Sequence, residues 1–193
     1  MNLIFATNNR HKLTEVNQIL GDTIELTTLA ECGITEEIPE TSPTIQGNAL
    51  QKARYVWERT GRSCFADDTG LEVDALNGAP GVRSARYATD GHDFDANITL
   101  LLRNLEGVTE RSAQFRTVVA LILDGEEYLF EGIVRGHITC ERFGEGGFGY
   151  DPVFVPEGEV MTFAEMTPEA KNAISHRGRA IAELAKWFAE RAK

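Results

Sequence analysis

A chain of 193 residues, 42% hydrophobic and 25% charged, has the length and balance of one globular domain spanning residues 1–193 with a sizeable core. Its formal net charge of -11 excludes a surface built for a nucleic-acid polymer, but not a local positive pocket for a small phosphorylated ligand. Three widely spaced cysteines, Cys32, Cys64 and Cys140, form no C-x-x-C pair and are expected as small buried hydrophobes in a reducing compartment.

The opening run through Leu3, Ile4 and Phe5 is too short for a signal peptide or a membrane span, so a soluble cytoplasmic protein is expected. Leu3 to Thr7 reads as a first strand. Asn8-Asn9 offers a helix cap, Leu13, Val16, Ile19 and Leu20 follow at helical spacing, and Gly21 ends that helix. Ile24 to Leu29 is expected as a second strand and residues 33–44 as loop. Ala49, Leu50, Ala53, Val56 and Trp57 form a second helical face, stopped by Gly61. Ser63 to Asp67 reads as strand, after which Thr69-Gly70 lets the chain turn. Residues 77–81 read as loop and Phe94 to Leu105 as helix. The apolar run Val118 to Leu123 predicts a central strand, with Tyr128 to Val134 as its antiparallel neighbour across Asp124-Gly125. Four glycines fall within 144–149. A last helix begins near Ser175 and buries Ile181, Leu184, Ala185 and Phe188. The pattern predicts an α/β fold with a mixed sheet, without internal repeats or a long linker.

Three features carry chemistry. Asp67 and Asp68 are adjacent acids after an apolar run. Like charges so placed need a cation or a proton between them, yet Asp67-Asp68-Thr69-Gly70 equally fits a type I turn. With Glu40 they could hold Mg²⁺ through a few carboxylates and waters, substrate phosphates completing the shell. Second, Arg10, His11 and Lys12 open one helix, and His176, Arg177 and Arg179 open another. Cations there oppose the macrodipole, and a bound anion would resolve both conflicts. Third, Phe148-Gly149-Tyr150-Asp151-Pro152 combines space-clearing glycines with two aromatics that could stack on a flat base and an acid that could accept an N–H from it. Taken by themselves, Lys52, Arg83 and Arg86 read as surface cations rather than site residues. The residues alone describe a metal-dependent site for a phosphorylated, aromatic ligand.

Six segments in order, Ala6 to Lys12, Gly47 to Ala53, Asp67 to Val73, Asn77 to Tyr87, Gly146 to Pro152 and Ile174 to Gly178, resemble the signatures of the inosine/xanthosine triphosphate pyrophosphatases. The resemblance implies an elongated mixed β-sheet with flanking helices, two lobes around a central nucleotide cleft, and a homodimer. It implies Mg²⁺-dependent hydrolysis of ITP, dITP or XTP to the monophosphate and pyrophosphate, cleansing the nucleotide pool. In it Asp68 matches the general base and a metal ligand, and Glu40 a further metal position. Thr7, Asn8, Asn9, Arg10, His11 and Lys12 match the nucleotide-binding opening, and Lys52 and Arg86 phosphate-site cations. Thr69 matches a substrate contact that is normally Ser. Phe148, Gly149, Tyr150, Asp151, Lys171, His176 and Arg177 match positions that hold and read the base. The chain departs from the family pattern at Asn8 (frequently Gly), Ile45 (Phe), Gly47 (Glu) and Arg83 (Tyr). Two other classes share parts of this pattern: a pyrophosphatase of modified pyrimidine nucleotides and a non-catalytic nucleotide sensor.

Overall fold

A computed structural model describes residues 2–21 and 24–191. Among these, seven strands and five α-helices form a mixed α/β fold. The elements are β1 (Asn2–Phe5), α1 (Arg10–Leu20), β2 (Glu25–Thr27), α2 (Ile45–Thr60), β3 (Cys64–Val73), β4 (Pro80–Gly81), α3 (Phe94–Asn104), β5 (Ser112–Leu123), β6 (Glu126–Ile138), β7 (Phe154–Pro156), α4 (Pro168–Ile174) and α5 (His176–Arg191). The sheet order is β2-β1-β3-β5-β6-β7, with β4 paired to β3. By compactness the chain divides into one unit of residues 1–68, 117–132 and 177–193, and a second of 69–116 and 133–176.

The first unit opens with a β-α-β crossover. β1 pairs in parallel with β2 (Asn2 opposite Glu25) and with β3 (Ile4 opposite Cys64). Parallel strands covered on both faces are apolar throughout, and Leu3, Ile4, Phe5, Cys64, Phe65 and Ala66 are all fully buried. The Asn9 side chain caps α1 by accepting from the His11 and Lys12 amides, and Thr44 caps α2 by accepting from Gly47. Leu3, Phe5, Val16, Leu20, Phe65, Val119, Leu121, Ile181 and Leu184 make this unit's core.

The second unit packs Leu71, Val73, Ile98, Leu101, Phe115, Val134, Ile138, Tyr150, Phe154 and Phe163. Asp93 caps α3 by accepting from the Ala96 amide. Here β3 pairs antiparallel with β4 (Leu71 opposite Gly81), and β6 with β7 (His137 opposite Val155).

Most expected elements are present, with informative differences. Asp124 and Gly125 both take positive φ, 52° and 90°, as the two-residue hairpin turn between β5 and β6 requires. No turn occurs at Asp67-Asp68-Thr69-Gly70, because β3 runs unbroken from Cys64 to Val73. Residues 77–81 are not all loop, since Pro80–Gly81 pair with β3. α4 was not expected; Thr167 caps it and Pro168 occupies its first position. Among the cysteines Cys64 is the buried hydrophobe expected, its thiol pushed up to about 12 by burial. Cys32 is half-buried and Cys140 exposed, contrary to that expectation.

Candidate active site

Asp67 and Asp68 lie on a buried strand in which successive side chains alternate between faces, and each meets a lysine from a different helix. Lys12 of α1 reaches Asp67 Oδ1 at 2.9 Å. Lys52 of α2 reaches Asp68 Oδ1 at 3.2 Å and Glu40 Oε1 at 2.6 Å. Arg177 of α5 donates from Nε to Asp67 Oδ2 at 3.0 Å and from Nη1 to Glu15 of α1. Asp67, Lys52 and Arg177 are almost wholly buried, and Asp68 is 7% exposed.

This arrangement answers the conflict at the two helix starts. Lys12 and Arg177 converge on the carboxylate of Asp67, so the chain supplies the anion itself. Burial alone would raise the Asp67 carboxyl. Lys12 and Arg177 outweigh it and hold the group well below the usual carboxylate range. Burial lowers Lys12, aided by the neighbouring charges of Lys52 and Arg177 and opposed by Asp67. Lys52 is raised: burial opposes its charge, but Asp68 and Glu40 prevail.

Asp68 behaves oppositely to its neighbour. Burial pushes its carboxyl upward and Glu40 adds to that, against the pull of Lys52 and Lys12. Its Oδ2 is buried without a hydrogen-bond partner among the described residues. A buried carboxylate oxygen left open has the character of a base or a ligand atom. Among the described residues no group of three or more His, Cys, Asp or Glu is placed to hold a metal. Glu40 and Asp68 offer two carboxylates around one point, Lys52 Nζ. Such a donor set fits Mg²⁺, which keeps several waters and takes only one or two carboxylates, and does not fit an all-protein cage.

Of the expected opening residues, Thr7 Oγ1 accepts from the Asn9 amide at 3.1 Å, while Asn8, Arg10 and His11 are exposed before and within the first turn of α1. Glu15 was missed. Its signal was available, since it lies three residues after Lys12 on the same helix face.

The second unit holds the other expected residues. Asp151 is buried, and its Oδ2 accepts from the Phe148 amide at 2.8 Å and from Lys171 Nζ at 2.7 Å. Lys171 Nζ also stands 4.9 Å from the Phe148 ring centre. His176 is buried and stacks on Phe115, ring centres 4.5 Å apart. Tyr150 belongs to the core and donates its hydroxyl to the Ser84 carbonyl at 2.8 Å. The stacking face expected of two aromatics is therefore left to half-buried Phe148. The glycines clear space for the chain itself. A Cβ on Gly147 would stand 2.1 Å from Asp151 Oδ2, and one on Gly144 would stand 2.5 Å from the Ala164 backbone. Thr69 and Arg86 are half-buried, and Arg86 sits in a single helical turn over Ser84–Arg86.

Comparison with known proteins identifies the family. The Ham1 family model matches residues 3–187. The chain is 57% identical over 183 residues to a dITP/XTP pyrophosphatase of Porphyromonas gingivalis, covering 94% of each chain. It is 51% identical over 184 residues to a dITP/XTP pyrophosphatase of Flavobacterium johnsoniae, covering 95% of this chain and 96% of that one. The solved structure of the Staphylococcus aureus Ham1 protein superposes with a TM-score of 0.90 at 37% identity, covering 100% of both chains. Matches this complete over nearly the whole length show that the chain belongs to the Ham1 family.

Proposed function

We propose that this protein is a nucleoside triphosphate pyrophosphatase that hydrolyses ITP, dITP and XTP to the monophosphate and pyrophosphate, cleansing the nucleotide pool. Supporting this reading are the dITP/XTP pyrophosphatases to which the chain is similar. The single observation that carries the chemistry is Asp68, with its raised carboxyl and one buried oxygen left open beside Lys52.

In the proposed reaction water attacks the α-phosphorus, its O–P bond forms, and the bond to the pyrophosphate oxygen breaks. Asp68 orients the water and takes its proton, the upward push of burial making its carboxylate a stronger base than that of an exposed aspartate. Lys12 and Lys52, with Arg86, offset phosphate charge. Three buried or half-buried cations (Lys12, Lys52, Arg177) already face four carboxylates (Glu15, Glu40, Asp67, Asp68). A triphosphate adds further negative charge to this cluster, which favours a divalent cation arriving with it. Glu40 and Asp68 would hold Mg²⁺, which supplies neutralisation of the triphosphate and of the charge that develops on the leaving group.

Arg177 gives two of its donors to Asp67 and Glu15, so its first part is to fix Asp67. Reading of the base then falls to His176, Lys171 and the loop from Phe148 to Asp151, with Phe148 as the stacking face. A donor aimed at the 6-oxygen of hypoxanthine or xanthine meets an amine in adenine. A buried donor left unpaired costs about 1–3 kcal/mol. We place the enzyme in the cytoplasm as a homodimer; no described helix is long and apolar enough to cross a membrane.

The test is a panel of purine and pyrimidine triphosphates with Mg²⁺, scoring pyrophosphate against phosphate. Pyrophosphate release fastest from ITP, dITP and XTP is expected. Release of single phosphates, a pyrimidine in first place, or binding without turnover would each reject the proposal.

A further inference from the structure

Residues 40–44 are held against α2 by side chains of that helix. Asn48 Oδ1 accepts from the Ser42 amide at 2.8 Å. Gln51 Oε1 accepts from the Thr41 amide at 2.9 Å, and its Nε2 donates to Thr41 Oγ1 at 2.9 Å. Two consecutive backbone N–H groups directly after Glu40 are thus taken by α2, and the next residue of the helix, Lys52, reaches Glu40 itself at 2.6 Å.

The helix gives up local stability to do this. Asn48 is 2% exposed inside α2, where Asn is a poor helix former, and Gly47 beside it is worse. A Cβ on Gly47 would stand 1.8 Å from Ser42 Oγ and 2.7 Å from Ser42 Cβ. Glycine lets the segment lie close against the helix, and Asn48 then catches its backbone. Two neighbouring residues that disfavour the helix, both spent on one loop, mark the loop as the reason for them.

We propose that Asn48 and Gln51 are positioning residues for Glu40, with Gly47 as the seat. They hold residues 40–44 so that Glu40 and Asp68 share Lys52 before any ligand arrives, which pre-forms the acidic side of the cation site. The inference rests on the pyrophosphatase reading of that site.

Two readouts test it on the full-length protein: amide hydrogen exchange at Thr41 and Ser42, and ITP hydrolysis across a Mg²⁺ titration. Asn48→Ala and Gln51→Ala should each lose protection of the amide they bind. Each should raise the Mg²⁺ concentration for half-maximal rate about 10-fold, the equivalent of one hydrogen bond, with kcat recovered at saturating Mg²⁺. Gln51→Glu keeps the acceptor for the Thr41 amide and should restore both readouts most of the way. Gly47→Ala, which ordinarily favours a helix, should instead shift both as the alanines do. Gln51 is half-buried, so its variants remain folded should the Asn48 variant not. Loss of protection with an unchanged Mg²⁺ requirement overturns the positioning role. So does a kcat that stays low at every Mg²⁺ concentration while protection is intact. A wild type that releases no pyrophosphate from any triphosphate rejects the reading of the site and with it the catalytic half of the inference. The exchange readout then still decides whether α2 holds the segment.

Discussion

The carboxyls of two adjacent aspartates are shifted in opposite directions by burial and by what faces them. Asp67 meets Lys12 and Arg177 and is held ionised; Asp68 meets Lys52 alongside another carboxylate and keeps an open oxygen. Asp68→Asn should therefore keep the fold and lose roughly 10²-fold or more in turnover, the usual worth of a general base. Near-normal turnover would reject its assignment. Arg177→Ala leaves Asp67 and Glu15 short of a buried partner and should cost about 3–5 kcal/mol in urea unfolding, as removal of one half of a buried pair does. A loss under about 1 kcal/mol would mean water enters and replaces the guanidinium. The same pair sets an acid limit. Because the folded Asp67 carboxyl lies below its unfolded value of about 4, its stabilisation is complete above that pH and is lost as the pH falls below it toward the depressed value. Unfolding free energy of Asp67→Asn should lose that part of the wild-type slope below about pH 4. The two acids were visible in the sequence, and the family resemblance set Asp68 apart as the base, but the ion pairing that fixes Asp67 was not visible. It depends on Arg177, 110 residues away along the chain, and local spacing cannot bring the two together.

At the scale of elements, periodicity found what is locally determined. The α1 and α2 faces, the Asp124-Gly125 hairpin and the apolar run of β5 each follow from a few neighbouring residues. It failed where tertiary pairing overrides a local preference. Asp67-Asp68-Thr69-Gly70 has the composition of a turn but is held extended, with strand residues Ala66 and Leu71 fully buried on either side of it. The glycine-rich loop was legible as special and misread in detail: its glycines admit the chain's own Asp151 and Ala164 backbone. Gly147→Ala is the sharp test. It adds a Cβ 2.1 Å from Asp151 Oδ2 at a residue with φ of 70°, so Asp151 must release the Phe148 amide or Lys171. Left-handed backbone strain alone costs an alanine about 1–2 kcal/mol. KM for ITP should rise several-fold with kcat less affected. An unchanged KM would separate this loop from base binding.

At the scale of the whole molecule, each compact unit has its own core, yet no linker joins them. The chain passes from one to the other after residues 68, 116, 132 and 176, inside β3, β5 and β6 and at the first residue of α5. A strand is held by hydrogen bonds along its length, so melting one unit unpins strands that also build the other. The proposed catalytic residue Asp68 is the last residue before one such passage, and Thr69, the proposed substrate contact, is the first after it. Cooperative unfolding is therefore expected to be shared across both units. Leu121→Ala empties a fully buried position in the first core, and Phe154→Ala one in the second, where that ring meets Phe115 at 4.7 Å. Each should cost about 3–5 kcal/mol. At roughly 2–4 °C per kcal/mol for a chain of this size, each should lower Tm by about 6–20 °C. The decisive observation is the shape of the transition. Near-ultraviolet dichroism reports mainly Trp57 and Trp187, both in the first unit, while exchange of core amides near Phe154 reports the second. Coincident transitions by both probes, in both variants, would establish one folding unit over the whole chain. If Phe154→Ala melted the amides of its own core while the tryptophan signal survived to the wild-type temperature, the single-domain expectation would fail. Asp68 and Lys52 would then belong to a unit that stands without the residues assigned to the base.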